Sequence, residues 1–210
     1  MVHENLNGRV AVITGGGGVL CSGFAKDLAA QGVKVAILDL REDAAKKVAD
    51  EINAAGGTAL AVGCNVLESE SLEAAREKIN AELGSCDILI NGAGGNSPLG
   101  TTTKDTLELE DIAHKAEGVK TFFDLDPKGI EFVFNLNFLG TLLTTQCFAK
   151  DMVEKENATI LLHERLQTPH ENPRIFRGKG GCLELHPVHG RAFCRCRHQS
   201  QRHCARIFLD

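Results

Sequence analysis

Four consecutive glycines, Gly15 to Gly18, separate a β-branched apolar run, Val10-Ala11-Val12-Ile13, from a segment in which Leu20, Phe24, Leu28 and Ala29 recur at helical spacing. A buried strand therefore enters a tight turn and leaves it as a helix, which Gly32 can close in the left-handed conformation. The unit then repeats. Val33 to Leu38 reads as a strand, Glu42 to about Ala55 as a helix, and Ala59 to Val62 as a strand after Gly56-Gly57. A helix follows from about Ser69 to Leu83, begun by Ser69 or Ser71 with acidic neighbours, and then the strand Ile88-Leu89-Ile90, which ends in Asn91-Gly92-Ala93-Gly94. Ala158 to Leu161 begins a fifth strand. Strands alternating with helices of this length imply right-handed crossovers and a parallel sheet covered on both faces, so the fold class is α/β, a doubly wound parallel sheet.

A glycine turn between a strand and a helix lets backbone N–H groups approach a phosphate that the helix N-terminus then stabilises. Asp39, at the end of the second strand, strengthens that reading over a merely structural turn. Its carboxylate can accept from both ribose hydroxyls of NAD and would repel the 2′-phosphate of NADP, although Arg41 leaves room for NADP as the lesser alternative. Residues 95–126 are polar, aperiodic and too long for a plain connection, which suits a functional loop over the strand ends. Asp126-Pro127 supplies a cap and a proline for the first helical position of a helix running to about Val153. Its apolar residues, Phe132 to Leu143, surround it and imply cover on more than one side.

Charge divides the chain. Residues 1–161 carry 14 Lys and Arg against 24 Asp and Glu, whereas residues 162–210 carry 9 against 4, with six of the eight His and four of the eight Cys. The reading is a nucleotide-binding domain over 1–161 and a Cys/His/Arg-rich tail over 162–210. An overall charge of -5 gives no basic surplus for a nucleic acid partner. No run approaches the roughly 18 uninterrupted apolar residues of a membrane span. Met1 to Asn5 lacks the order of a signal peptide, so the expectation is a cytoplasmic protein with free thiols.

Taken together, the Thr14-Gly15 turn, Asp39, Asn91-Gly92-Ala93-Gly94 and Asn137-Phe138-Leu139-Gly140 resemble, in order and spacing, the short-chain dehydrogenase/reductase family. Gly18-Val19-Leu20-Cys21, Gly94-Gly95-Asn96-Ser97-Pro98, Phe122-Phe123-x-x-Asp126 and Asn137-Phe138-x-Gly140-Thr141 are similar to its D-mannonate oxidoreductase (fructuronate reductase) branch. The resemblance spans about residues 7–161. It implies a Rossmann-like sheet, incomplete at its C-terminal side, and a cofactor site of Thr14, Gly15, Gly17, Gly18, Val19, Leu20, Asp39, Asn65, Val66 and Asn91 to Gly94. Asn65 stands where the family usually has an aspartate that accepts from the adenine amino group. Gly95, Asn96 and Ser97 would border a small sugar-acid substrate, and Asn137 would hold a proton-relay water. Without the resemblance, Asn137 reads as a buried amide satisfied by backbone. Relatives of this kind commonly form homo-oligomers, but the helix that completes their interface is not recognisable here.

Family chemistry also needs a tyrosine, a lysine four residues later and a serine after the fifth strand. The chain contains no Tyr, and no Ser between Ser97 and Ser200. Read one nucleotide later with permitted codons, residues 163–210 can spell a segment containing Ala-Tyr-Ser-Gly-Ala-Lys and, further on, Gly-Ile-Arg-Val-Asn-Ala. The hidden tyrosine codon straddles Ile175 and Phe176, and the hidden lysine codon straddles Lys179 and Gly180. The expectation is a frameshift near Leu161 and a catalytically inactive chain, either an NAD-binding fragment or a product that folds poorly because its fifth strand becomes an open edge. A rival reading takes Cys182, His186, His189, Cys194, Cys196, His198, His203 and Cys204 as a small metal module. Neither a Cys-x-x-Cys pair nor a His-x-x-x-His knuckle is present to support it.

Overall fold

In the computed structural model, residues 6–104, 106–114 and 116–162 are described, with the backbone of three short strands beyond residue 184. The alternation read from the sequence is realised as β1 (Val10–Thr14), α1 (Val19–Ala30), β2 (Lys34–Asp39), α2 (Glu42–Ala54), β3 (Thr58–Gly63), α3 (Ser69–Glu82) and β4 (Ile88–Asn91). After the long loop come α4 (Leu109–Ala113), α5 (Pro127–Phe134), α6 (Gly140–Ala149) and β5 (Thr159–Leu162). The order β3-β2-β1-β4-β5 is parallel throughout, with β1 between β2 and β4. Travel across the sheet reverses at β1, so the crevice for a ligand opens at the C-terminal ends of β1 and β4.

Two cores cover the sheet. One face packs Ile13, Val35, Ile37, Ala25, Val48 and Ile52 beneath α1 and α2. The other packs Val12, Leu38, Leu72, Ile79, Leu89, Cys147, Phe148 and Ile160 beneath α3 and α6. The β-branched runs are buried on both sides because helices cover both faces, which is why they read as continuous apolar stretches without alternation. Gly32 closes α1 at φ +82, as expected, and its N–H donates to the Ala29 carbonyl at 2.9 Å.

Three expectations change. The cap of α3 is neither Ser69 nor Ser71 but Glu68, whose side chain makes no capping bond; Ser71 instead accepts from the Asn65 N–H at 3.0 Å. The helix opened by Asp126, which accepts from the Lys128 N–H at 2.9 Å, ends at Ala149 rather than Val153 and is interrupted by a π turn at Asn135–Leu139. The expected cover on more than one side is also uneven along it. Phe132, Phe134 and Phe138 are about half exposed, whereas Thr144, Cys147 and Phe148 of α6 are buried. By length and composition Pro127–Ala149 could cross a membrane, but α6 packs against α3 and β4 within the domain.

β5 is not an open edge either. The backbone of β8 (Arg206–Leu209) pairs with it in parallel, and β7 (Arg191–Cys194) and β6 (Leu185–Val188) follow antiparallel.

Candidate functional site

Gly15 at φ +63 turns the chain at the end of β1, where a side chain would lie 2.7 Å from the Gly92 carbonyl oxygen. Only glycine meets both demands. Gly16 donates to the Leu38 carbonyl at 3.0 Å, and a side chain there would collide with Ile37. Gly18 caps α1 in an extended conformation, so the first-turn amides of the helix begin at the turn. The next two side chains, Val19 and Leu20, are 92% and 50% exposed, an apolar surface left partly open at the turn.

Asp39 closes the other side of the turn. One carboxylate oxygen accepts from the Gly17 N–H and the other from the Arg41 N–H, each at 3.0 Å. A side chain at Gly17 would come within 2.9 Å of that carboxylate and 2.7 Å of the Ala44 methyl, so glycine keeps the acid and the turn in contact. Two amides fix the carboxylate at the end of β2, where its remaining lone pairs can accept from a diol.

Thr14 belongs to the site's framework. It is 1% exposed, and its hydroxyl accepts from the Gly92 and Ala93 N–H groups at 3.1 Å, tying the end of β4 to that of β1. Gly92 is packed from above, since a side chain there would run into Cys21 Sγ of α1. Asn91 is 2% exposed and donates to Thr145 Oγ1 at 3.1 Å, while its own oxygen has no hydrogen-bond partner among the described residues. It faces the interior between β4 and α6.

Asn137 lies within the π turn and grips the next loop. Its amide N–H donates to the Gly95 carbonyl at 2.7 Å and the Val133 carbonyl at 2.8 Å, and its oxygen accepts from the Gly95 N–H at 3.0 Å. The side chain is thus spent on backbone, and its main-chain carbonyl accepts from Thr141 Oγ1 at 2.8 Å. Gly94 leaves room for this grip, because a side chain there would come 2.6 Å from the Asn137 oxygen. Beyond Gly95, Asn96 and Ser97 fold locally, with the Ser97 N–H donating to the Asn96 side chain at 2.9 Å. Val66 packs against Gly140, and Asn65 turns its amide to Glu68 at 2.8 Å.

The structure therefore brings the Thr14–Leu20 turn, Asp39 and Asn91–Gly94 together around one crevice, with Asn137 anchoring its floor. Sequence reasoning quoted Cys21 and Thr141 only as parts of motifs, without a structural role, and missed Thr145. Only the four-residue spacing of Thr141 from Asn137 was a visible signal. Two buried thiols lie in the core: Cys86 is pushed up to about 12 and Cys147 to about 11, in both cases chiefly by burial. Among the described residues no group of three or more His, Cys, Asp or Glu is placed to hold a metal. The side chains of Cys182, His186, His189, Cys194, Cys196, His198, His203 and Cys204 lie outside those described.

Comparison with known proteins agrees with this geometry. Residues 9–162 match the family model for short chain dehydrogenase. An uncharacterized oxidoreductase of Haemophilus influenzae is 52% identical over 159 residues, 76% of this chain and 54% of its own length. The uncharacterized oxidoreductase UxuB of Bacillus subtilis is 47% identical over 160 residues, 76% of this chain and 55% of its own. A Haemophilus influenza protein solved with bound NAD, and provisionally named a D-mannonate oxidoreductase, superposes with a TM-score of 0.71 at 52% identity, covering 76% of this chain and 55% of that one. The chain spans about half the length of the curated relatives it matches. With more than two thirds of its residues matched, the chain belongs to the short-chain dehydrogenase family.

Proposed function

We propose that this chain carries the NAD-binding half of an oxidoreductase for sugar acids of the D-mannonate/D-fructuronate type, and that it binds NAD without turning such a substrate over. The observation that carries the cofactor reading is Asp39, fixed by the Gly17 and Arg41 amides at 3.0 Å beside the glycine turn. The crevice fits the group: glycines that let the turn pack closely on Gly92 and Asp39, helix amides at its end, and Val19 and Leu20 exposed for apolar contact. Bound NAD would supply the hydride acceptor. Toward it, Asp39 would orient the ribose and disfavour a 2′-phosphate, the glycine turn would hold the pyrophosphate, and Gly92 to Gly94 would border the nicotinamide. The similarity to the NAD-bound Haemophilus influenza protein supports both the cofactor and the substrate class.

The absent proton transfer rests on composition. No tyrosine occurs in 210 residues, so no phenolate can take the substrate hydroxyl proton. The family match ends at Leu162, close to the expected frameshift. We read residues 163–210 as out of frame with the family's catalytic segment, which sequencing the gene across the junction tests. Calorimetric titration should show NAD binding more tightly than NADP, with no growth in NADH absorbance when D-mannonate is added. Turnover by purified chain refutes the inactivity, and absence of NAD binding refutes the cofactor reading.

A further inference from the structure

On one side the sheet ends at β3, whose outer backbone row has no strand beside it. We propose that Asn53 guards this edge: its carboxamide occupies Ala59 in place of a neighbouring strand, and so keeps β3 from pairing antiparallel with β3 of a second copy of the chain. The amide makes both bonds that a strand would make. Asn53 Nδ2 donates to the Ala59 carbonyl at 3.0 Å, and Asn53 Oδ1 accepts from the Ala59 N–H at 2.8 Å. Asn53 stands exposed in the last turn of α2, and the chain returns through Gly56 at φ +84 to bring Ala59 beside it. An exposed amide is free to stay solvated, so holding it in one rotamer against a single backbone residue costs side-chain entropy.

Alternation along the strand fixes what remains open. Ala59 points its backbone groups away from β2, and so therefore do Ala61 and Gly63, whereas Leu60 and Val62 turn theirs inward. No strand or side chain among the described residues bonds the Ala61 N–H or carbonyl. Nor does the edge carry the usual protection: Thr58 to Gly63 includes no lysine or proline, and its register with β2 runs without a bulge. Two such edges, laid antiparallel about a twofold axis through Ala61, would exchange bonds between the Ala61 residues and set each Ala59 opposite Gly63 of the second copy. Asn53 withdraws Ala59 from that ladder and leaves the Ala61 pair alone. The rim would not oppose the contact, because Glu42, Lys46 and Asp50 of α2, beside Ala59 to Ala61, alternate in sign.

Full-length parent, Asn53→Ala and Asn53→Ala/Ala61→Pro are compared by sedimentation equilibrium over a concentration series, with amide hydrogen exchange at each concentration. The readout is association beyond whatever assembly the parent shows. Freeing Ala59 in both copies should tighten self-association of Asn53→Ala at least roughly tenfold, and its Ala61 amide should exchange more slowly as concentration rises. Proline at 61 removes that outward N–H and leaves the ladder to β2 intact, so the double variant should return to the association of the parent. Asn53→Ala that associates as the parent does, with Ala61 exchange independent of concentration, overturns the proposal. Tighter association that proline leaves in place, as aggregation of a merely destabilised chain would be, overturns it equally.

Discussion

Replacing Gly92 with alanine tests how the crevice is assembled. The new methyl would run into Cys21 Sγ and lie 2.8 Å from the Thr14 carbonyl oxygen. Gly92 is not among the positive-φ glycines, so backbone conformation itself tolerates alanine and the penalty is steric. Overpacking of this kind costs ~1–3 kcal/mol, offset by roughly 0.4–1 kcal/mol from the stiffer unfolded chain. The net loss is about 1–2 kcal/mol, or roughly 2–8 °C in melting temperature for a domain of this size. Cys21→Ala alone removes a buried sulfur and costs about 1 kcal/mol. In the double variant the collision with sulfur vanishes, leaving only the carbonyl contact, so the two losses should fall short of additivity by about 1 kcal/mol. Urea unfolding followed by far-UV circular dichroism measures all four corners of the cycle, the chain having no Trp or Tyr to report by fluorescence. Additivity within about 0.3 kcal/mol would refute direct packing of Cys21 on Gly92.

Asn137→Ala removes the amide that bonds Gly95 in both directions; the expected loss is ~2–3 kcal/mol, and hydrogen exchange should accelerate first around Gly95. Asp151→Ala deprives Arg76 and Asn80 of a carboxylate whose side chain is 7% exposed. Since Arg76 keeps Glu73 and some solvent, the expected cost is about 2–3 kcal/mol by urea unfolding. Cys86 has its folded pKa raised to about 12 by burial, above the ordinary thiol value. The stability it contributes is therefore full below about pH 8.5 and lost as pH rises toward 12, and Cys86→Ala should flatten that alkaline decline in unfolding midpoint. Equal decline in both proteins would contradict it.

The sheet was legible because buried parallel strands declare themselves. Val10–Ile13 and Ile88–Ile90 are apolar runs stopped by glycine or asparagine, and their observed bounds differ from the reading by a residue. Asp39 and the glycine turn were legible because a strand before and a helix after confine what such residues can do. Other features depend on partners that periodicity does not name. The ring of apolar residues from Phe132 to Leu143 signals burial, yet Phe132, Phe134 and Phe138 stay about half exposed. Thr14 looks like part of a ligand loop until the adjoining strand turns out to lie within reach of its hydroxyl. That Glu68 turns to Asn65 instead of capping α3 depends on side-chain directions that spacing alone leaves open.

The π turn at Asn135–Leu139 behaves as a one-residue insertion that the fold has kept. Each helical residue advances about 100° around the axis, so the extra residue rotates everything after it relative to everything before. One amphipathic stripe is thereby split in two: Phe132 and Phe134 belong to the earlier phase, and Thr144, Cys147 and Phe148 to the later one that reaches the core. Deleting a single residue there would heal the helix and force a choice between two debts, releasing the grip of Asn137 on Gly95 or swinging Phe148 out of the interior. The irregular turn lets one helix serve the crevice and the core at once.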